Sequence, residues 1–317
     1  MNEPAYSDIL AAAARIAPHA VRTPVLVNPA LDRLVGARLH FKCENLQRVG
    51  AFKFRGACNA VFSLKDEQAA RGIVTQSSGN HGAAIALAAA LRGVPAHVVV
   101  PHDAPRIKLA NIRGYGAEVH LCEPTMAARD ATAAQVVAET GGELVHPFND
   151  PRVIAGQGTA TLELRQQVTC LDVVVAPVSG GGLLSGTALA AHGAEPKLRV
   201  FGAEPAQAAD THASLARGER VTDMPARTIC DGLRANVGAY TFPIIKRHVE
   251  AVLLAEEAEI LAAMRLIFEH LKLVVEPSAA VPLAALLAAR DQVAGLDVGV
   301  ILSGGNVDLD QLPFTVA

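Results

Sequence analysis

A parallel α/β fold in two domains is what this sequence predicts, on three observations. Short valine-rich runs ending in Gly, Ser or Pro alternate along the chain with alanine-rich stretches of helical length, the pattern of strands buried on both faces between crossover helices. Three such strand-helix units follow one another directly between about Gly72 and Thr140, enough for a small twisted sheet of their own. A length of 317 residues with 51% hydrophobic content allows a large core and more than one domain.

Taken in order, strands are expected over Ala37–Lys42, Gly72–Gln76, Ala96–Val100, Ala117–Leu121, Asp172–Ala176, Leu198–Ala203, Ala251–Leu254 and Gly299–Leu302. Alanine-rich segments such as Ala83–Leu91 and Pro282–Arg290 read as packed helices, and Pro147, Pro151 and Pro177 mark element ends. Residues 67–145 are then a small domain, and 1–66 with 146–317 a large one. The chain crosses between them twice, and the cleft between them is the expected ligand site.

A net charge of -3, with lysines and arginines clustered no further than pairs, excludes the basic surface a nucleic-acid partner needs. Five widely separated cysteines, without a CxxC pair, suggest neither a disulfide framework nor a thiolate zinc site, and a reducing cytoplasm fits best. No basic leader opens the chain and no apolar run reaches membrane-spanning length, so neither export nor insertion is expected. Eleven histidines lack HxxxH or HExxH spacing and no GxSxG occurs, which disfavours zinc catalysis and serine hydrolysis. Partners should be small molecules.

Chemistry is expected in the loops that follow strands, because ligands of doubly wound sheets sit at strand carboxyl ends. The stretch Gln47–Gly56 centres on Lys53 between Phe52 and Phe54, where an apolar wall would lower the amine's pKa and favour a Schiff base. An ordinary amphipathic helix start has the same residues. After Gly72–Gln76 comes Ser77-Ser78-Gly79-Asn80-His81-Gly82, opening a helix whose unpaired N–H groups suit a carboxylate; an N-cap is the plainer reading. After Asp172–Ala176 comes Ser179-Gly180-Gly181-Gly182-Leu183, where backbone amides converge on an anion of monophosphate size without a Walker lysine. A dinucleotide fingerprint ending in Ser185, with Glu204 as ribose acid, and a tight turn without ligand stand as alternatives. Ser303-Gly304-Gly305-Asn306 closes the series with an uncharged hydroxyl fit for a heterocyclic nitrogen. Glu204 and Asp210, two carboxylates six apart across a turn, could hold Mg²⁺, Mn²⁺ or Ca²⁺ with a backbone carbonyl between them, though a solvated surface loop is the plainer reading.

Together, in this order, the aromatic-flanked lysine, the Ser-Ser-Gly-Asn-His loop, the glycine loop and the final Ser-Gly-Gly-Asn resemble the serine/threonine dehydratase and serine racemase family of fold-type II pyridoxal phosphate enzymes. The likeness runs from Thr23-Pro24 to Asp308. It implies two domains, each an open, twisted, mostly parallel sheet flanked by helices, with the active site in the interdomain cleft and the cofactor on the large domain. It implies Lys53 as the Schiff-base lysine, Phe52 as a pocket wall and Asn80 on the ring hydroxyl. Gly180, Gly181, Gly182 and Leu183 would hold the phosphate, and Ser303 the pyridine nitrogen. Ser77, Ser78, Gly79 and His81 would line the substrate carboxylate, and Glu204, Ala208 and Asp210 match the divalent metal site of racemase-like members.

The implied activity is α,β-elimination: Lys53 removes the α-proton, the ring serves as electron sink, and a β-hydroxyl leaves, giving a 2-keto acid and ammonia. Threonine, serine and 3-hydroxyaspartate are the substrates in view, and Arg129 occupies a place where a side-chain carboxylate would be met. Ser78 keeps racemisation open, since it would face the substrate opposite Lys53. A catalytically silent ligand sensor is the alternative of a different class. A homodimer is expected, and the short stretch after Asp308 leaves no room for the regulatory domain of biosynthetic threonine dehydratases.

Overall fold

The computed structural model describes residues 3–104, 106–194 and 198–312. Strands among them are β1 Val25–Leu26, β2 Arg38–Cys43, β3 Ile73–Gln76, β4 Ala96–Pro101, β5 Glu118–Cys122, β6 Glu143–Leu144, β7 Val173–Pro177, β8 Arg199–Pro205, β9 Ala251–Ala255 and β10 Asp297–Leu302. They form a six-stranded sheet in the order β1-β2-β10-β7-β8-β9 and a four-stranded sheet in the order β5-β4-β3-β6. Apart from β1, which runs antiparallel to β2, every pairing is parallel.

The central strands β7 and β10 are buried at every residue, which is why β7 is an unbroken apolar run and β10 carries no polar side chain after its first residue, Asp297. Side chains alternate between two cores. Val173 and Val175 pack with Phe201 and the helix Pro277–Ala288 on one face, and Val174 and Ala176 with Leu184 and Ala188 of the helix Gly182–Ala194 on the other. The smaller sheet is covered by the helix Asn80–Arg92 through Ile85 and Ala88, and on its other face by Ala133 and Val136 of the helix Met126–Thr140.

All eight expected strands are present, shifted at their ends by up to two residues. The two-residue strands β1 and β6 are too short to show a strand pattern and are additions. The expected helix Pro282–Arg290 needs correction: it spans Pro277–Ala288, with Pro282 inside it. Pro277, at the first helical position, has its φ pre-set for a helix start, so the helix begins one proline earlier.

The helix Lys53–Phe62 joins the two sheets. Phe54, Ala57, Cys58 and Val61 share a core with Ile73 of the small sheet, with Ile85 of the helix Asn80–Arg92 that covers it, and with Val153 of the helix Pro151–Gln167. Against that last helix the contact is backbone to backbone: a Cβ on Gly156 would stand 2.6 Å from Gly56 Cα. Beside this crossing lies a charge network. Arg55, fully buried, donates to both oxygens of Glu44 and both of Glu163, while Lys42 Nζ donates to Glu163, Gln167 and the Thr23 carbonyl.

Candidate active site

Lys53 is the first residue of its helix, reached through a strained turn. Val49 (φ 56°) and Gly50 (φ 70°) are both left-handed, a conformation costing a β-branched residue about 1–3 kcal/mol. The turn is held from the end of β10: Gly305 N donates to Gly50 O (2.9 Å), Phe52 N to Ser303 O (2.9 Å) and Asn306 Nδ2 to Val49 O (2.7 Å). Lysine and the Ser303 loop are thereby stitched together by backbone bonds. Lys53 Nζ donates to Pro147 O at 3.2 Å and lies 5.1 Å from the Phe52 ring centre. Burial lowers its pKa to about 8, and the Glu276 carboxylate opposes the shift.

The serine loop lies at the carboxyl end of β3, and Asn80 opens the following helix. Asn80 Nδ2 donates to both oxygens of Glu276, at 3.1 and 3.3 Å, and Asn80 Oδ1 accepts from Asn306 Nδ2 at 2.9 Å. Ser77, Ser78 and Gly79 are partly exposed; Gly79 N donates to Ser77 Oγ at 3.3 Å. His81 is buried, its Nε2 3.4 Å from Val145 O and its Nδ1 without a hydrogen-bond partner among the described residues. Burial, and then the Lys53 charge, hold its pKa well below the ordinary value, so the imidazole is neutral.

The glycine loop follows β7 and runs into the helix Gly182–Ala194, with Leu183 as its second residue. Its shape is set by packing. A Cβ on Gly180 would stand 2.3 Å from the Phe148 ring, and Gly181 (φ 88°) would meet Thr241 Oγ1 at 2.7 Å. Thr241 Oγ1 donates to Gly180 O at 2.6 Å, and Gly238 N donates to the same carbonyl at 3.2 Å. Ser179 turns away: its Oγ donates to Ala235 O (3.0 Å) and accepts from Ala235 N (3.1 Å). A cavity of about 610 Å³ opens here, lined by Phe148, Met126, Pro225, Arg234 and Ala235 among others.

Glu204 and Asp210 are both buried, on either side of the short 3-10 turn Ala206–Ala208. Burial, with Asp210 adding to it, raises Glu204 to about 8, and burial raises Asp210 to about 6. Glu204 accepts from Thr211 N (3.1 Å) and His212 N (2.9 Å), and Asp210 Oδ2 from Val237 N (2.7 Å), one residue before the Gly238 that bonds the glycine loop. Arg129 lies in the helix Met126–Thr140, and its Nε is buried without a hydrogen-bond partner among the described residues. The neighbouring Asp130 accepts from Gln76 Nε2 (2.7 Å), the last residue of β3 before the serine loop.

Thus Lys53, Phe52, Ser303, Asn80 and the glycine loop converge through Pro147, Phe148, Glu276 and Asn306, while the acidic pair stands one segment away. Sequence reasoning missed Glu276, Phe148 and Thr241, and gave Asn306 no task. The one available signal for Glu276 was a single acid directly ahead of Pro277-Ser278 in an otherwise apolar stretch.

Comparison with known proteins matches residues 16–304 to the family model described as "Pyridoxal-phosphate dependent enzyme". The chain is 51% identical to the β-hydroxyaspartate dehydratase of Paracoccus denitrificans (strain Pd 1222), over 99% of this chain and 100% of that one. It is 49% identical to a serine racemase of Dictyostelium discoideum, over 96% of this chain and 95% of that one. Maize serine racemase superposes with a TM-score of 0.96 at 45% identity, covering 98% of this chain and 96% of that one. On this coverage and identity, the chain belongs to the pyridoxal-phosphate dependent enzymes.

Proposed function

We propose that this chain is an ammonia-lyase that dehydrates and deaminates a small β-hydroxy-α-amino acid, with 3-hydroxyaspartate foremost and serine or threonine as lesser substrates. The observation that carries the reading is the convergence on Lys53: an amine with pKa lowered to about 8, bonded to Pro147 O, following Phe52 whose N–H holds Ser303 O, and acted on by the Glu276 carboxylate that Asn80 bonds, with the glycine loop packed on Phe148 next to Pro147. This donor set fits pyridoxal phosphate. Bound there, the cofactor supplies an electron-withdrawing ring that acidifies the α-carbon of an attached amino acid.

The chain's own residues do the rest. Backbone N–H groups of Gly180, Gly181, Gly182 and Leu183 would hold the phosphate at the positive end of the helix. Asn80, oriented by Glu276 and Asn306, would meet the ring hydroxyl, and Ser303 would meet the ring nitrogen without adding charge. Phe52 walls the pocket. Ser77, Ser78, Gly79 and the buried His81 receive the substrate carboxylate. Lys53, once free, takes the α-proton as general base. The buried, unpartnered Arg129 Nε, on the helix that touches Gln76, supports recognition of a second carboxylate, and the dehydratase name of the Paracoccus relative agrees with it.

Ser78 supports a second reading, racemisation with Lys53 and Ser78 on opposite faces of the substrate, in line with the serine racemase relatives. With either reading we assign Glu204, the Ala208 carbonyl and Asp210 to a divalent cation, Mg²⁺, Mn²⁺ or Ca²⁺; the support is an all-oxygen donor set of two buried carboxylates. The proposal keeps 67–145 as the small domain, within which β3 to β6 fall, against 1–66 and 146–317. A cytoplasmic homodimer completes the proposal. Among the described residues no helix is long and apolar enough to cross a membrane.

The test follows keto-acid release and enantiomer exchange together for L- and D-serine, L-threonine and the threo and erythro 3-hydroxyaspartates. Keto acid is expected fastest from a hydroxyaspartate and absent with Lys53→Ala. If no β-hydroxy amino acid yields keto acid, the lyase reading fails. Ser78→Ala that keeps elimination but loses enantiomer exchange establishes the racemase activity.

A further inference from the structure

At the amino end of the small sheet, away from the serine loop at its carboxyl end, three side chains converge on one point. His97 on β4 lies opposite Glu118 on β5, and Val99 opposite His120, so parallel pairing places His97, Glu118 and His120 on one face. His97 Nδ1 is 3.2 Å from His120 Nε2 and 3.3 Å from Glu118 Oε2, and His120 Nε2 is 3.8 Å from Glu118 Oε1. All three ligand atoms lie within 4.8 Å of one another.

A proton serves this arrangement poorly. One hydrogen on His97 Nδ1 cannot point at both the His120 nitrogen and the Glu118 oxygen, whereas a cation at the centre takes a lone pair from each. The spacing is that of a tetrahedral centre: bonds of about 2.0–2.1 Å imply ligand–ligand edges of about 3.3–3.4 Å. The His97–His120 edge and the edge from His97 to Glu118 Oε2 match; His120 is nearer the other oxygen, Oε1, and rotating the Glu118 carboxylate, whose side chain is 66% exposed, brings a single oxygen to both histidines. The His97 ring is held from behind by Gly72, where a Cβ would stand 3.2 Å from Cδ2 and Nε2.

We infer that His97, Glu118 and His120 form a binding site for a borderline divalent metal ion of the zinc type, with water in the fourth position. The two-nitrogen, one-oxygen donor set separates it from the all-oxygen pair Glu204 and Asp210, since Mg²⁺ and Ca²⁺ prefer oxygen alone. An ion here clasps β5, the edge strand, to β4.

The experiment titrates Zn²⁺ into holoenzyme kept in excess Mg²⁺, so that oxygen-donor positions stay filled, in competition with a chromophoric chelator. Wild type should bind one zinc per chain, and His97→Ala and His120→Ala should each weaken it by at least about tenfold. Glu118→Gln, on an exposed side chain, is the variant to read if a histidine variant fails to fold. Zinc binding equal in wild type and variants, absent from wild type, or displaced by the Mg²⁺ overturns the inference.

Discussion

At Lys53 the ordinary amine value of 10.5 is brought to about 8 by burial. Bonding to the cofactor aldehyde needs the neutral amine. The rate of cofactor uptake by apoenzyme, followed by absorbance, should therefore rise with pH and level off just above about 8. His81 and His146 are both held below their ordinary values by burial and the Lys53 charge, so they stay neutral through that range. The linkage has the matching sign: the unfolded chain binds more protons between the two lysine values, so apoprotein stability gains from this group as pH rises through that window. Arg129 gives a second test. Arg129→Gln should raise KM for 3-hydroxyaspartate about tenfold, the worth of one charged hydrogen bond, and leave KM for serine unchanged. Lys53, Asn80 and Ser303 were legible in the sequence because each stands at a strand or helix end beside small or aromatic residues of distinctive order. Glu276 was not, since one acid before a proline has no period and its partner Asn80 lies 196 residues away.

The helix carrying Lys53 is fixed by its third residue. Arg55 and Glu44 are fully buried, and removing the guanidinium leaves the Glu44 carboxyl in the interior without its counter-charge, held among the described residues only by the Thr23 hydroxyl. Arg55→Ala should lose about 3–5 kcal/mol in denaturant unfolding, and Arg55→Lys should recover little, because a single ammonium cannot address two carboxylates in fork geometry. Nothing in the sequence announces this network: Lys42, Glu44, Arg55 and Glu163 share no motif, and only the crossing of two helices at Gly56 and Gly156 brings them together. Strands were readable where burial on both faces demands continuous apolar runs, as in β7 and the Val300–Leu302 end of β10. β1 and β6 are stretches of two residues that pair at sheet edges, too short to show any alternation.

Across the molecule, the acidic pair and the glycine loop are joined by one short segment: Asp210 holds Val237 N and Gly180 holds Gly238 N. Chelation should thus both lower the thermal midpoint and loosen the cofactor, and Asp210→Ala should abolish the response; a cation at a hundred times its Kd contributes about 2.7 kcal/mol. Parallel α/β architecture was legible because strand and helix alternate in composition, whereas the sheet orders were not, since strand order depends on contacts far apart in the chain. That order has a temporal meaning. β10, the last strand to be synthesised among those described, lies between β2 and β7, near the middle of the large sheet. During synthesis β2 and β7 therefore wait, each with an open flank, until the ribosome has delivered residues 297–302. A nascent chain halted before that point exposes two unpaired apolar edges, and Lys53 has no Ser303 loop to hold its turn, so catalytic competence arrives in one late step.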